Sequence, residues 1–441
     1  MAAMTRSPSR VPALALELVL PVNAVVCAGL WLRHGPGEVH NLATGLVGAG
    51  RLTGLLGAYL ALVQIVLLSR VPALERLAGL DRRVAWHRPA AGACLGLLGV
   101  HAVLITAGYA LGDRLSVPAE ARRLITGYPG VITATAALVL LIAVTAVSAG
   151  PLRRALRYET WYFSHLYVYL AIALAFSHQI ATGSDFVGDP LARAYWTALY
   201  LVTAAAVLAG RVAAPLLSAA RHRLHVLSVV AQGPGVTSIE IGGRRLHHLR
   251  AHSGQFFAWR FLTRDRWWET HPFSLSAAPD GRRLRITVKG LGDFSSRLAA
   301  VPVGTRVIAE GPYGTFTAAG RRCTRVALIA GGAGITPIRA LLEDMPAQAG
   351  EIAVVYRAAR AQDLILREEL DALAACRGAE VHYVTGPDRM LSGAELRVLI
   401  PDIAERDVYV CGPPEMTRST RATLRGLGVP ARHLNVERFT L

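Results

Sequence analysis

Lysine is all but missing: Lys289 is the sole one among 47 basic residues, so the formal charge of +17 is carried by arginine. The arginines form no long run and no nucleic-acid motif accompanies them, which excludes a DNA or RNA surface as the meaning of that charge. Cysteine is scarce too. Cys27, Cys94, Cys323, Cys376 and Cys411 stand far apart, so neither a CxxC metal site nor a disulfide framework is legible, and buried free thiols are expected. Internal repeats, low-complexity tracts and calcium-binding loops are absent. No stretch after residue 220 is long and apolar enough to span a bilayer.

What is present is apolar in bulk. Of 441 residues, 53% are hydrophobic, with a mean hydropathy of +0.37. Six stretches, 11–32, 46–68, 89–111, 131–149, 161–181 and 194–217, approach the roughly 20 apolar residues that a spanning helix needs. The first follows Arg6 and Arg10 and has the shape of a signal peptide, but the hydrophobic segments behind it favour a retained helix. Arginines gather after the second stretch (Arg70, Arg76, Arg82, Arg83, Arg88), the fourth (Arg153, Arg154, Arg157) and the sixth (Arg221, Arg223). The other loops hold fewer. The positive-inside rule therefore predicts that the N-terminus and everything after residue 220 lie in the cytoplasm.

The second half changes rhythm. Short β-like runs such as "LHVLSVVAQGPGVTSIEI", "GQFFAWRF" and "RRLRITVKG" are separated by glycine turns, the pattern of a small antiparallel barrel. From Thr324 the order becomes strand, loop, helix, which predicts a parallel sheet flanked by helices, the usual nucleotide scaffold. The expected architecture is a six-helix transmembrane bundle over 1–217, an antiparallel β-barrel domain over 218–319 and an α/β parallel-sheet nucleotide-binding domain over 320–441.

Four histidines fall in or beside the apolar stretches: His87 and His101 with the third, His165 and His178 with the fifth. Ionisable groups in a bilayer are rare and usually functional. Separations of 14 and 13 residues correspond to roughly 21 and 20 Å of helix, so the two helices offer imidazoles on two levels. Two neutral imidazoles per level suit the axial positions of a haem iron. A step of 14 returns to within about 40° of the same face, whereas 13 leaves an offset of about 140°. The fifth helix is therefore expected to be kinked or overwound, or to present its ligands from different faces. Zinc, which wants its ligands in one place, and a proton relay are the alternatives.

The segments "WHRPAAGACLGLLGVH" and "HLYVYLAIALAFSH" resemble the ferric-reductase-like transmembrane domain shared by NADPH oxidases and ferric-chelate reductases. That resemblance implies two b haems held by His87, His101, His165 and His178.

"HPFSLS" (271–276) is followed by "ITVKGLGDFSSRL", where Ser295 and Ser296 precede a helix start that offers free N–H groups to a pyrophosphate. Together they resemble the flavin-binding barrel of the ferredoxin-reductase family, in its His-Pro-Phe-Ser version. The resemblance implies FAD, with His271, Pro272, Phe273 and Ser274 bordering the flavin and its phosphates and with Lys289, Gly292 and Ser295 approaching the pyrophosphate. Many relatives outside the membrane subgroup carry arginine where His271 stands; the departure fits the subgroup but moves one phosphate charge onto another residue.

"LIAGGAGITPI" (328–338) is an apolar strand, a glycine loop and a helix entered by Pro337, without GxGxxG spacing. With "VYVCGPPEM" (408–416) it resembles the NAD(P)H half of ferredoxin reductases. The resemblance implies that Gly332, Gly334, Thr336 and Pro337 cradle the dinucleotide, with Cys411, Gly412 and Pro413 near the nicotinamide. Near the end, Phe439 matches an aromatic that covers the flavin in this family, with plain packing as the alternative. Cys411 and Phe439 are the candidate catalytic residues. Arg357 and Arg360 can meet a 2′-phosphate or be solvated, so NADPH is expected, with NADH as the alternative.

The implied activity is an oxidoreductase of the plasma membrane that passes electrons from cytoplasmic NAD(P)H through FAD and two haems to an extracytoplasmic acceptor. That acceptor is oxygen, giving superoxide, or ferric iron. The alternative is an electron-transfer subunit feeding a partner protein, which the reductase module makes unnecessary. The short N-terminus and the lack of a calcium loop imply constitutive activity.

Overall fold

The structure, a computed structural model, describes residues 10–34, 36–156, 158–182, 186, 188–265, 267–386 and 391–438. The chain divides into two compact units, Pro8–Val212 and one composed mainly of Ala213–Leu441.

An apolar chain in lipid must satisfy its own backbone groups, and a helix does so within one segment. The first unit accordingly contains α1 (Arg10–His34), α2 (Leu42–Leu67), α3 (Leu80–Asp113), α4 (Val131–Ser148), α5 (Tyr158–Thr182) and α6 (Pro190–Leu208). Local chemistry sets some of the starts. Asn41 Oδ1 accepts the Thr44 N–H at 3.0 Å while Thr44 Oγ1 accepts the Asn41 N–H at 3.1 Å, a capping box that opens α2. Asp189 likewise caps α6 by accepting from Leu191 and Ala192.

Among the described residues, four helices are long and apolar enough to cross a membrane: Leu42–Leu67, Arg82–Asp113, Val131–Ser148 and Pro190–His222. The last continues from α6 through a π-helical turn at Ala209–Ala213. Although α5 has 25 residues, its histidines, tyrosines and Gln179 lower its hydropathy, and it falls outside that class. Within α1 the shorter stretch Leu20–Arg33 is also apolar.

α2 packs closely on α3, and α4 on α5, whereas α3 and α5 are not among the closely packed pairs. A Cβ on Gly54 of α2 would lie 2.6 Å from Nδ1 of His101 on α3; small residues permit that approach of backbones.

In the second unit, six strands form two antiparallel sheets: β1 (His225–Gly233), β2 (Val236–Gly242), β3 (Phe256–Phe261), β4 (His271–Ser274), β5 (Arg283–Lys289) and β6 (Val307–Tyr313). The sheet orders are β1-β2-β5 and β4-β3-β6, and bridges at Leu275–Ile286 and His225–Arg306 link their edges. Alternate residues, among them Ile239, Ile241, Phe257, Trp259 and Ile286, fill the space within. A short helix, α7 (Asp293–Arg297), follows β5.

Then come β7 (Val326–Gly331), α8 (Ile335–Asp344), β8 (Ile352–Ala358), α9 (Arg367–Arg377), β9 (Glu380–Thr385), α10 (Gly393–Leu399), β10 (Asp407–Gly412), α11 (Pro414–Gly426) and β11 (Leu434–Arg438). The five strands are parallel, in the order β11-β10-β7-β8-β9. β7 and β10 are buried along their whole length, as a sheet covered on both faces requires. The chain leaves β7 toward β8 on one side, while β10 lies on the other. That topological switch point is where open α/β sheets bind ligands, beyond the carboxyl ends of the strands.

Candidate functional site

The four membrane histidines meet in pairs. The rings of His87 and His165 have centroids 6.1 Å apart, and those of His101 and His178 lie 6.3 Å apart. A metal ion bound on opposite sides by two imidazole nitrogens at about 2 Å each puts the ring centroids roughly 6 Å apart. Each pair is therefore spaced for one ion between its two rings, which are inclined to each other at 70° in the first pair and 56° in the second.

The 13-residue step lies within one unbroken run of α-helix, Tyr158–Thr182. Both histidines of α5 meet partners on α3, His165 with His87 and His178 with His101. α3 carries Pro89 two residues beyond His87.

The second ring nitrogen decides which atom faces the ion. His101 Nδ1 lies 2.8 Å from the Gly50 carbonyl, His178 Nδ1 2.8 Å from Thr182 Oγ1 and His165 Nδ1 3.2 Å from Ser148 Oγ. The Gly50 carbonyl can only accept, so His101 carries its proton on Nδ1, and Thr182 Oγ1 donates to the His178 carbonyl and accepts from Nδ1. In these two the Nε2 lone pair is left for a metal, the arrangement that outer partners impose on ligating histidines. His87 Nδ1 is buried with no hydrogen-bond partner among the described residues. Gly50, Ser148 and Thr182 had no signature in the sequence, because each becomes a partner only through its helix position.

In the antiparallel sheets, His271 stacks on Phe294 with ring centroids 3.8 Å apart and approaches Glu269 at 3.5 Å. Phe273 lies parallel to the same ring at 6.4 Å, and its carbonyl accepts from Trp259 Nε1 at 2.9 Å. Pro272 is exposed and Ser274 buried. Ser295 Oγ accepts the N–H groups of Leu291 and Gly292, both at 3.0 Å, so this hydroxyl shapes the loop ahead of α7. Lys289 pairs with Asp363 at 3.7 Å.

Ser276, the last residue of "HPFSLS", joins this region to the parallel sheet. Its Oγ accepts from Thr287 at 2.8 Å and Arg285 at 3.2 Å, and its carbonyl accepts from Arg285 at 2.9 Å and Arg339 at 3.1 Å. Glu369 on α9 bridges the two arginines, at 2.8 Å from Arg285 and 3.1 Å from Arg339. Sequence reasoning missed this cluster because abundant arginine hid Arg285 and Arg339.

Burial pushes Glu369 up, but the hydrogen bonds and charge of Arg285, aided by Arg339, outweigh it and hold the carboxyl below its ordinary value of 4.5. A depressed folded value means that this stabilisation is complete above pH 4.5 and is lost as pH falls through the lower folded value. Glu369→Gln is therefore expected to lower the melting temperature of the second unit at pH 7 and to flatten its decline below pH 4.5. Flavin release on heating the full chain at a series of pH values checks this.

The nucleotide motifs, about 80 residues apart in sequence, adjoin at the switch point. A Cβ on Gly334 would strike the Cys411 carbonyl oxygen and come within 2.8 Å of Gly412 N. Gly332 has φ +53, a left-handed conformation that favours glycine. Its carbonyl accepts from Tyr356 Oη at 3.2 Å, and the same phenol oxygen accepts the Ile365 N–H at 3.1 Å. Thr336 Oγ1 donates to the Ala333 carbonyl at 3.0 Å, and Thr336 and Pro337 are buried at the start of α8.

The Cys411 side chain is fully buried, and burial, with the Glu437 charge, pushes its thiol well above the ordinary value. The thiol is therefore neutral at pH 7. Arg357, at the end of β8, donates to the Gly386 carbonyl at 3.2 Å, while Arg360 is engaged by Asp363 at 3.0 Å. Pro413 precedes α11. Phe439 lies outside the described residues.

Residues 53–176 match a family model described as the ferric reductase like transmembrane component. Residues 224–317 match an FAD-binding domain, and 328–422 an oxidoreductase NAD-binding domain. Among curated proteins, ferredoxin–NADP reductase B of Sorangium cellulosum is 31% identical over 189 residues, covering 38% of this chain and 77% of that relative. NADH-cytochrome b5 reductase 1 of Pyricularia oryzae is 29% identical over 172 residues, 36% of this chain and 56% of the relative. Among solved structures, the FAD/NAD binding domain of a nitric oxide dioxygenase from Vibrio cholerae aligns with 50% of this chain and 99% of its own, at 25% identity and a TM-score of 0.43.

Proposed function

Since the chain belongs to the ferric-reductase-like transmembrane flavocytochromes with a ferredoxin-reductase-type FAD and NAD(P)H module, we propose that it carries electrons from cytoplasmic NAD(P)H across the plasma membrane to an outside acceptor. It is a membrane-bound, pyridine-nucleotide-dependent flavin oxidoreductase, and the carriers proposed beyond the nicotinamide are FAD and two b haems. The observation that supports this most is the pairing of His87 with His165 and of His101 with His178 at the spacing of one metal ion each.

Bound FAD supplies the conversion of a two-electron hydride into single electrons, and bound haem iron accepts those electrons singly. The chain's own residues hold these groups. His101 keeps Nε2 for iron because Nδ1 is engaged by Gly50, and His178 does the same through Thr182. Stacked His271 and Phe294 give the flavin region an aromatic wall. The backbone at Gly332–Gly334 lets the dinucleotide approach, and Arg357 at the end of β8 favours NADPH through its 2′-phosphate.

All six long helices span in this reading, with the N-terminus and the reductase module in the cytoplasm. Outward movement of one electron against a negative interior is then favoured by about 2.3 kcal/mol per 100 mV. Oxygen and ferric chelates are the proposed acceptors. No other protein is required.

The experiment is anaerobic reduction of the purified protein by NADPH, followed by oxygen or ferric citrate added separately. Reduced haem bands should appear and reoxidise rapidly with one of the two. Indifference to both would assign delivery to a partner protein, and a flavin spectrum without a Soret band would refute the reading.

A further inference from the structure

Three side chains of metal-ligand type, from separate stretches, meet at the end of the parallel sheet opposite the glycine loop. Cys323 precedes β7, Asp407 opens β10 and His433 stands in the turn before β11. Strand register brings them together, because Asp407 pairs with Val326 and Val408 with Leu434. One donor atom of each residue lies within 4.8 Å of the other two.

Cys323 Sγ and His433 Nδ1 are 3.5 Å apart. Zinc bonds of about 2.3 Å to sulfur and about 2.0 Å to nitrogen, at a tetrahedral angle, separate the two donors by about 3.5 Å. Asp407 is fully buried. Its Oδ2 accepts the N–H groups of Arg322 at 2.5 Å and Cys323 at 2.6 Å, which ties the cysteine backbone to the carboxylate. Its Oδ1 is buried without a hydrogen-bond partner among the described residues. A charged group in that position is costly unless a cation or donor joins it.

We propose that Cys323, Asp407 and His433 form a binding site for a zinc-type divalent ion, separate from the nucleotide site. One sulfur, one imidazole and one carboxylate make a borderline-soft set that selects Zn2+ over Mg2+ or Ca2+. Cys323 and His433 are only partly buried, which gives the ion an entry path and leaves its fourth position to water. Binding breaks the Cys323 S–H bond, forms a metal–sulfur bond and releases that proton to solvent; His433 gives its Nδ1 lone pair in the tautomer protonated on Nε2, which ends the contact of Nε2 with Arg432 Nε. The ion would clasp the amino ends of β7, β10 and β11, so its effect is on the stability of the nucleotide domain.

The competing account is a plain thiol–imidazole contact that binds nothing. Full-length protein, stripped with a chelator and dialysed against micromolar Zn2+, is analysed for zinc per flavin. Wild type should retain one ion that Cys323→Ser and His433→Gln each bind at least about tenfold more weakly, with flavin and haem contents unchanged. Exposed Cys376 contributes equally to all three proteins. Zinc should also slow alkylation of Cys323 in the wild-type protein, a readout that needs no variant. Equal zinc in wild type and variants, or alkylation of Cys323 indifferent to zinc, overturns the site.

Discussion

Gly334→Ala is expected to lower kcat/KM for NAD(P)H by at least about 100-fold, the scale on which small misplacements in a positioned site are felt, while haem and flavin contents stay at wild-type levels. The cause is local. The added methyl group would strike the Cys411 carbonyl and crowd Gly412 N, and backbone at the end of a buried parallel strand cannot move aside as a side-chain tip can. The glycine loop and the Cys411–Gly412 turn must then separate, and the switch-point crevice changes shape. Gly331→Ala is the control. Its methyl group would meet Met416, a flexible side chain, and Pro413, so a smaller loss is expected. Steady-state assays with NADPH and NADH, alongside dithionite reduction to show that the carriers remain, measure both. Near-normal turnover in Gly334→Ala would mean that the loop is not where the dinucleotide binds.

His101→Ala and His178→Ala should each remove one haem and halve the Soret absorbance per flavin, because one imidazole is left to hold what two held. Reduction of the flavin by NADPH should persist in both variants, since the reductase residues are untouched. Reduction of the outside acceptor should fall to background. The equivalent loss in His87→Ala and His165→Ala would leave the His101–His178 pair, which the positive-inside topology puts on the outer side, loaded but without its supply. Loss of both haems from a single substitution would indicate that the two levels depend on each other for folding.

The parts of the site legible in the sequence were those written in short contiguous motifs. The glycine loop and "VYVCGPPEM" were separable as a pair because a parallel sheet gathers strand ends at one edge whatever the distance along the chain. The histidine pairs were legible from spacing, yet their geometry was not. A 13-residue step fixes an angle on α5 but says nothing about where α3 stands. Counting apolar residues began the third helix at 89, whereas α3 starts at Leu80, because a helix does not end where its hydrophobicity does. Ser276, Arg285, Arg339 and Glu369 were illegible for a different reason. Their meaning lies in contact between two folded domains, and in a chain with a single lysine every arginine looks alike.

The haem-to-flavin ratio of the purified wild-type protein, from pyridine haemochromogen and flavin release on one sample, tests the central claim most directly. Two haems per flavin are predicted, and one in any variant lacking a single histidine of either pair. A ratio near zero, or a ratio unchanged across all four alanine variants, would contradict the account.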